Sequence, residues 1–270
     1  MNEHAFQLRT SRGEFRVALD GDPAAAPLIL SNSLGTTLEM WDPQVAAFAE
    51  SYRLVRYDTR GHGGSPVTPG PYRFEELGQD VLAISDALGL DQVAFCGLSM
   101  GGHTGLWLGM NAGARFKAMV VCNSAVRIGE EQAWRERAAM VRAGGAAGMR
   151  ALADSAPGRW FTEGFIQSRP ELVRRAQDQI AGIEAEGYAA CCEALATSDL
   201  SGGLDRIAIP TLLLAGEFDP VTTAADARVM QAGIAESRLA LVPASHLSNL
   251  EAPRAFEKAV LDFLADVPTV

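Results

Sequence analysis

The sequence predicts an α/β fold built on a mostly parallel sheet with helices on both faces. Several short runs in the chain are apolar on both faces, as in central strands that are covered on both sides. Helical patterns lie between them, most clearly over Phe74–Leu88, where apolar residues recur with a period near 3.6. Strands that alternate with helices form parallel sheets through right-handed crossovers. The predicted strands are Phe15–Leu19, Leu28–Ser31, Leu54–Tyr57, Val93–Cys96, Ala118–Cys122, Leu212–Ala215 and Arg238–Val242.

A helical insertion interrupts this pattern after Asn123. From about residue 126 to about residue 205 the sequence has helical segments and no strand pattern. The segments are Glu130–Arg142, Ala146–Asp154, Pro170–Glu184 and Tyr188–Thr197, with breaks at Gly144-Gly145, Pro157-Gly158 and Pro170. A last helix follows Pro253, a residue common in first helical turns. We therefore expect an α/β core of residues 1–125 and 206–270 that carries a helical cap at 126–205.

Charge and composition exclude several classes of function. The 270-residue chain has a net charge of −10 and a pI of about 4.9, which argues against nucleic acids and anionic membranes as partners. No apolar stretch is long enough to span a bilayer, and Met1–Phe6 lacks the basic and apolar regions of a signal peptide. The cysteines have no metal-binding spacing, so we expect no metal site and reduced thiols in a cytoplasmic protein. They are Cys96, Cys122, Cys191 and Cys192.

The strongest functional signal is a Gly-x-Ser-x-Gly sequence at 97–101, directly after the predicted strand Val93–Cys96. Between a strand and a helix, this sequence holds Ser99 on a strained turn with its hydroxyl exposed. Gly97 and Gly101 are needed because side chains there would collide across the turn. A serine hydroxyl is a weak nucleophile at neutral pH, so the motif predicts an acid and a histidine later in the chain. The alternative is a glycine-rich turn without chemistry.

Both partners are found after later strands. Asp219 comes just past Leu212–Ala215, where ligand-handling groups of open α/β sheets gather. The alternatives are an Asx turn at this position, or Glu217 as the acid. His246 lies past the strand pattern at 238–242 and completes the order Ser–Asp–His. The other histidines, His4, His62 and His103, all precede the acid.

Each of these residue types has a distinct chemical role. His246 takes the proton of Ser99 during attack and returns it to the leaving group, and Asp219 orients the imidazole and stabilises its cation. The developing oxyanion needs preorganised donors. We expect these to be the backbone N–H of Met100, at the start of the following helix, and that of Leu34, in the turn after Leu28–Ser31. This chemistry requires no cofactor.

The motifs resemble those of the α/β-hydrolase superfamily along nearly the whole chain, which implies the α/β-hydrolase fold. Beside the Ser, Asp and His motifs, the chain has Ser33-Leu34-Gly35 followed by Trp41, and a structural signature at Asp58–Ser65 that is not expected to do chemistry. Within the superfamily the chain is similar to the 3-oxoadipate enol-lactonase family in Ser31–Thr36, Arg56–Gly63 and Ala244–Asn249. This similarity implies a small-molecule lactone substrate, 3-oxoadipate enol-lactone, which is hydrolysed to 3-oxoadipate in the β-ketoadipate pathway of aromatic catabolism. It also implies that the helical insertion covers the active site.

Such a substrate carries a carboxylate, so its pocket needs a counter-charge or a set of donors. The candidates in the insertion are Trp134, Arg135, Arg137, Arg159 and Trp160, and Trp134 is the best of them for substrate contact. The alternatives are that both tryptophans pack the cap onto the core and that the arginines are solvated. The sequence alone leaves the carboxylate's partner open.

Other functions also remain open from the residues alone. A carboxylesterase or a hydrolase of carbon–carbon bonds would share the same three residues and differ only in the cap and the pocket. A hydrolase-fold protein without activity could serve as a binding module, although it would have no need of Ser99, Asp219 and His246 together. The sequence does not indicate an oligomeric state.

Overall fold

The computed structural model describes residues 5–267, which form an eight-stranded sheet flanked by helices. His4 lies outside the described residues. The strands are β1 (Ala5–Thr10), β2 (Gly13–Asp20), β3 (Ala26–Ser31), β4 (Tyr52–Tyr57), β5 (Val93–Leu98), β6 (Phe116–Cys122), β7 (Thr211–Gly216) and β8 (Ser237–Val242). Their order across the sheet is β1-β2-β4-β3-β5-β6-β7-β8. The β1–β2 and β2–β4 pairs are antiparallel and all other pairs are parallel, which confirms the predicted fold class.

Most of the helices occupy the connections between the parallel strands, and the last two follow β8. They are α1 (Asp42–Phe48), α2 (Phe74–Ala87), α3 (Met100–Ala112), α4 (Glu131–Asp154), α5 (Pro157–Trp160), α6 (Glu163–Ser168), α7 (Pro170–Ala181), α8 (Ala185–Thr197), α9 (Ala224–Gly233), α10 (Ser248–Glu251) and α11 (Pro253–Ala265). Short 3₁₀ segments lie at Leu38–Trp41, Gly113–Arg115 and Ser201–Arg206. None of the helices within residues 5–267 has the length and hydropathy that crossing a bilayer requires.

The sheet divides the core into two apolar layers, which explains why its strands are apolar on both faces. In β3, Leu28 and Leu30 belong to one layer and Ile29 to the other. In β5, Cys96 and Phe95 divide in the same way, because successive side chains of a strand point to opposite faces. Burial of these side chains on both sides supplies the main driving force for the fold.

The long connection between β6 and β7 contains the helices α4 to α8 and no strand, and every residue of it is described. The predicted break at Gly144-Gly145 is a kink inside α4, where Gly145 adopts φ 51° and ψ −134°. A positive φ of this kind is accessible to glycine at little cost. The kinked α4 packs against both α7 and α8. Residues of this connection, together with loops of the sheet, enclose a cavity above Ser99.

Candidate active site

Ser99 lies on a strained turn between β5 and α3. Its backbone has φ 57° and ψ −114°, a combination that non-glycine residues rarely adopt. Two hydrogen bonds with the end of β6 fix this conformation. The Ser99 N–H donates to the Cys122 carbonyl at 2.8 Å, and the Ser124 hydroxyl donates to the Ser99 carbonyl at 2.9 Å. The surrounding structure therefore maintains the strain that presents the Ser99 hydroxyl.

The glycines on either side of Ser99 allow close backbone contacts. A Cβ atom on Gly97 would lie 2.2 Å from the carbonyl oxygen of Gly101. A Cβ atom on Gly101 would lie 2.2 Å from the carbonyl oxygen of Ser31, at the end of β3. Gly97 thus permits the tight turn itself, whereas Gly101 permits α3 to approach the strand that leads into the Leu34 turn.

The structure brings Ser99, His246 and Asp219 together from three separate loops. The Ser99 Oγ lies 2.9 Å from His246 Nε2, and His246 Nδ1 lies 2.8 Å from Asp219 Oδ2. Exposure of all three residues is 6% or less. Glu217, the alternative acid, is exposed to solvent. This geometry suits proton transfer from the serine hydroxyl to a histidine whose second nitrogen is held by a carboxylate.

Asp219 is an ionised acceptor surrounded by donors. Its Oδ1 accepts from the N–H groups of Val221 (2.7 Å) and Thr222 (3.1 Å), and its Oδ2 accepts from the Thr222 hydroxyl at 2.8 Å. Burial alone would raise the pKa of the Asp219 carboxyl. The charge of His246 and the hydrogen bonds from His246, Asn123 and Val221 outweigh burial and lower the pKa to about 2. Asp219 is therefore negatively charged throughout the neutral range.

Asn123, which the sequence analysis did not select, also binds Asp219. Its side-chain amide donates to Asp219 Oδ2 at 2.9 Å and to the Ser245 carbonyl at 3.2 Å, so it connects the acid loop to the histidine loop. Its backbone has φ 43°, and its N–H donates to the Leu214 carbonyl at 2.7 Å. Asn123 directly follows β6, and its place at the carboxyl end of a strand was the signal that could have identified it.

The turn that contains Leu34 is held by contacts on both sides of that residue. The Ser33 N–H donates to the Met40 sulfur at 3.3 Å, and the Gly35 N–H donates to His62 Nε2 at 2.9 Å. Leu34 itself lines the cavity above Ser99. Met100 is the first residue of α3, where a backbone N–H has no partner within its own helix. The signature segment Asp58–Ser65 thus supports this turn through His62, a role that the sequence did not reveal.

Two of the other histidines are buried and have structural contacts. His62 Nδ1 lies 3.3 Å from the Arg60 carbonyl, and because Nε2 accepts from Gly35, the proton is on Nδ1. His103 lies between the Ala125 carbonyl (2.8 Å) and the Ser198 hydroxyl (2.7 Å). Burial lowers the pKa of each imidazole to about 4. Both side chains are therefore neutral in the folded protein at neutral pH.

These two histidines should make the folded state less stable in mild acid. In the unfolded chain a histidine binds a proton near pH 6.5, whereas each folded imidazole does so only near pH 4. The unfolded state then binds more protons, and each histidine should remove up to about 3 kcal/mol of stability between those pH values. Urea unfolding at pH 7, 6, 5 and 4.5 measures this slope. His103→Gln should reduce the slope, and an unchanged slope would contradict the assignment.

A cavity of about 290 Å³ opens above Ser99 and His246. Leu34 is one of the lining residues, and the connection between β6 and β7 supplies most of the walls. The wall residues include Trp134 and Arg137 of α4, Arg159 and Trp160 of α5, Ile180 of α7 and Tyr188 of α8. Trp134 lines the cavity, and its indole N–H donates to the Ile128 carbonyl. Its contact with substrate stays a prediction.

The structure separates the arginines that the sequence could not rank. Arg135 is exposed and pairs with Glu131 at 2.8 Å, away from the cavity. Arg137 lies over the Trp134 ring at 4.5 Å, and both Arg137 and Arg159 line the cavity. Burial, and then the charge of Arg137, lower the pKa of the Arg159 guanidinium. Within residues 5–267 neither of these two guanidinium groups forms an ion pair with a carboxylate. Glu130 also lines the cavity, so its lining has two guanidinium groups and one carboxylate beside His246.

Comparison with known proteins identifies the family. The α/β-hydrolase fold family matches residues 26–253. The chain belongs to that family. This hydrolase is 50% identical over 233 residues to 3-oxoadipate enol-lactonase 2 of Acinetobacter baylyi, covering 86% of each chain. It is 42% identical to 3-oxoadipate enol-lactonase 1 of the same organism, over 98% of each chain.

A solved structure gives the same result. The enol-lactonase from Burkholderia xenovorans LB400 superposes on this hydrolase with a TM-score of 0.93 at 40% identity, covering 97% of this chain and all of that one. The resemblance to the enol-lactonase family that the sequence motifs predicted is therefore confirmed. An esterase from Thermogutta terrifontis is a more distant structural relative, with a TM-score of 0.89 at 26% identity and coverage of 98% of this chain and 99% of that one.

Proposed function

We propose that this hydrolase opens 3-oxoadipate enol-lactone to 3-oxoadipate. One observation carries the proposal. The hydrogen-bonded set of Ser99, His246 and Asp219 faces a cavity lined by Arg137 and Arg159, neither of which is paired with a carboxylate. A serine nucleophile suits the lactone ester, and the two arginines suit the substrate's carboxylate. Relatives at 50% and 42% identity with this name support the choice of substrate.

The first half of the reaction forms an acyl-enzyme. The Ser99 oxygen attacks the lactone carbonyl while His246 Nε2 takes the hydroxyl proton, and Asp219 stabilises the resulting imidazolium. We infer that the N–H groups of Leu34 and Met100 stabilise the tetrahedral oxyanion. The bond between the carbonyl carbon and the ring oxygen then breaks, and His246 returns its proton to the departing enol oxygen. The enol tautomerises to a ketone, which makes this step favourable.

The second half of the reaction releases the product. His246 removes a proton from water, and the hydroxide attacks the acyl carbon. Collapse of the second tetrahedral intermediate breaks the bond to Ser99, which regains its proton from His246. The sum is one lactone and one water converted to 3-oxoadipate. Every step uses the chain's own side chains and amides together with water.

We further propose that residues 126–205 act as a cap that selects the substrate. Trp134, Arg137, Arg159, Trp160 and Tyr188 all belong to this stretch and line the cavity. The walls of the cavity shape the pocket around the substrate, and the arginines orient the substrate through its carboxylate. The buried, unpaired state of all four cysteines fits a reducing compartment, which supports a cytoplasmic location.

Loss of lactone absorbance in the presence of the purified protein tests the proposed substrate. The assay is run beside simple uncharged esters at the same concentrations. We expect the lactone to have the higher kcat/KM. Rapid turnover of the esters with none of the lactone would instead identify a carboxylesterase. If the protein turns over neither ester nor lactone but cleaves a carbon–carbon bond in an aromatic ring-cleavage product, it is a carbon–carbon bond hydrolase, the third activity that Ser99, Asp219 and His246 permit.

Removal of either cavity arginine should weaken the use of anionic substrates. Arg137→Gln and Arg159→Gln each leave a buried substrate carboxylate short of a partner, so we expect kcat/KM for the lactone to fall about 100-fold in each variant. Turnover of an uncharged ester should change by less than about threefold, since that substrate has no charge to bind. Arg135→Gln is a matched control on the same helix and should behave like the wild type. Equal losses for lactone and ester would contradict a carboxylate site.

A further inference from the structure

A short segment of the proposed cap, residues 160–162, is connected by hydrogen bonds to the residues on both sides of His246, directly on one side and through Glu251 on the other. The Leu247 N–H donates to the Trp160 carbonyl at 3.0 Å. On the other side of His246, the Ser245 N–H donates to Glu251 Oε2 at 2.8 Å. The other carboxylate oxygen of Glu251, Oε1, accepts from the N–H of Thr162 at 3.2 Å and from its hydroxyl. Glu251 is therefore a bridge between the 160–162 segment and the peptide that precedes His246.

The same segment borders the cavity. Arg159 directly precedes it, and both Arg159 and Trp160 line the cavity wall. A group bound at Arg159 would therefore be connected to the His246 loop through residues 160–162 and the Glu251 carboxylate. This connection is separate from the contacts of His246 with Asp219 and Ser99, because it acts on the backbone on either side of the imidazole.

The bridge requires a carboxylate because both of its oxygens are acceptors. One oxygen accepts from Ser245 and the other from Thr162. Glutamine at this position has a single oxygen acceptor, and its amide nitrogen would face a donor group of either Ser245 or Thr162. Glu251→Gln should therefore break one side of the bridge while it preserves the volume and the polarity of the side chain.

We propose that Glu251 is a positioning residue through which an anionic group bound at Arg159 holds His246 in line with Ser99. This inference rests on the proposed carboxylate site of the cavity. A substrate with a carboxylate then has a higher kcat as well as a lower KM, because its binding at Arg159 restrains further the loop that carries His246. A substrate without charge does not engage Arg159 and gains nothing from the bridge.

Two aryl esters with the same leaving group separate these effects. In 4-nitrophenyl hemiadipate the acyl chain ends in a carboxylate, and in 4-nitrophenyl hexanoate the chain of equal length is uncharged. In Glu251→Gln we expect kcat for the hemiadipate to fall about tenfold, with KM and both constants for the hexanoate within about threefold of the wild type. Glu163→Gln is the control, because Glu163 follows Thr162 directly but faces Gln167 on the surface.

Substitutions at Thr162 provide an independent arm if Glu251→Gln does not fold. Thr162→Val removes the hydroxyl that donates to Glu251 and should also lower kcat for the hemiadipate selectively, whereas Thr162→Ser should restore it. A double variant of both sites should be no worse than Glu251→Gln alone, because the two residues form one link. Losses that are equal for the two esters, or absent from both, would overturn the inference.

The outcome is distinguishable from failure of the proposed substrate. If the wild type leaves the enol-lactone intact but Glu251→Gln shows the selective loss with the hemiadipate, the positioning role stands and the lactone assignment is wrong. If the wild type opens the lactone but handles the two esters with equal kcat, the positioning role is wrong and the lactone assignment stands.

Discussion

Ser99→Ala should lower kcat/KM for the enol-lactone by about 10⁴-fold or more, the largest loss expected of any single substitution. The variant lacks the oxygen that lies 2.9 Å from His246 Nε2 and that this nitrogen would deprotonate. Loss of lactone absorbance at high enzyme concentration measures the residual rate. The same loss with an activated ester would show that both activities use one nucleophile, and it would exclude a binding protein without activity.

A control variant is needed because the turn at Ser99 is strained. Alanine removes only the hydroxyl and must adopt the same strained φ and ψ as serine. The variant should therefore unfold at nearly the wild-type urea concentration. Ser168→Ala is a suitable control, because Ser168 is exposed on α6 and its hydroxyl donates to the Gly164 carbonyl of the same helix. Retention of more than about one per cent of activity in Ser99→Ala would contradict its role as the nucleophile, since such losses normally exceed that limit.

The three residues of the site could be selected from the sequence because chain order and strand position restrict the choice strongly. Ser99, Asp219 and His246 each follow an apolar strand, and the carboxyl ends of parallel strands meet at one edge of the sheet. The residues that support them could not be found in this way. Asn123 and His62 act through hydrogen bonds whose direction depends on local backbone conformation, here a φ of 43° at Asn123.

The arginines show a second limit of sequence reasoning. Arg135 and Arg137 are two residues apart on α4, so their side chains are rotated by about 200° around the helix axis. If one faces the cavity, the other faces away. Which of the two faces inward depends on how α4 is rotated about its axis when it packs against α7 and α8. Two arginines at these positions give no information about that rotation. The structure resolves it, since Arg137 lines the cavity and Arg135 pairs with Glu131.

Edges of the fold were the hardest elements to predict. β1 was not predicted, because it pairs only with β2 and has the polar residues Gln7, Arg9 and Thr10 in a half-exposed strand. An edge strand with few buried positions lacks the apolar alternation that identifies central strands. The short helices α5 and α6 were missed for a related reason, since four or six residues cover too few turns to show a period.

Asp219→Asn should lower kcat by about 10⁴-fold, although it changes a single oxygen into an amide nitrogen. Donors surround both carboxylate oxygens, from Val221, Thr222, Asn123 and His246. An asparagine NH₂ would face some of these donors, and if it faced His246 Nδ1 the imidazole would carry its proton on Nε2, where it could not accept from Ser99. Loss of the carboxylate would also remove the charge that stabilises the imidazolium.

The same substitution should lower stability at neutral pH, and the effect should become smaller in acid. The folded pKa of Asp219 is about 2, below its unfolded value, so its contribution is complete above about pH 4 and is lost as the pH falls toward 2. Glu217→Gln is the matched control, two residues away and exposed, and should leave kcat and stability unchanged. Measurement of kcat with the lactone, together with urea unfolding at pH 7 and pH 3, tests both effects.

A larger loss in Glu217→Gln than in Asp219→Asn would move the acid to position 217. Normal activity in both variants would mean that His246 needs no carboxylate to deprotonate Ser99, which the buried 2.8 Å contact between His246 and Asp219 argues against.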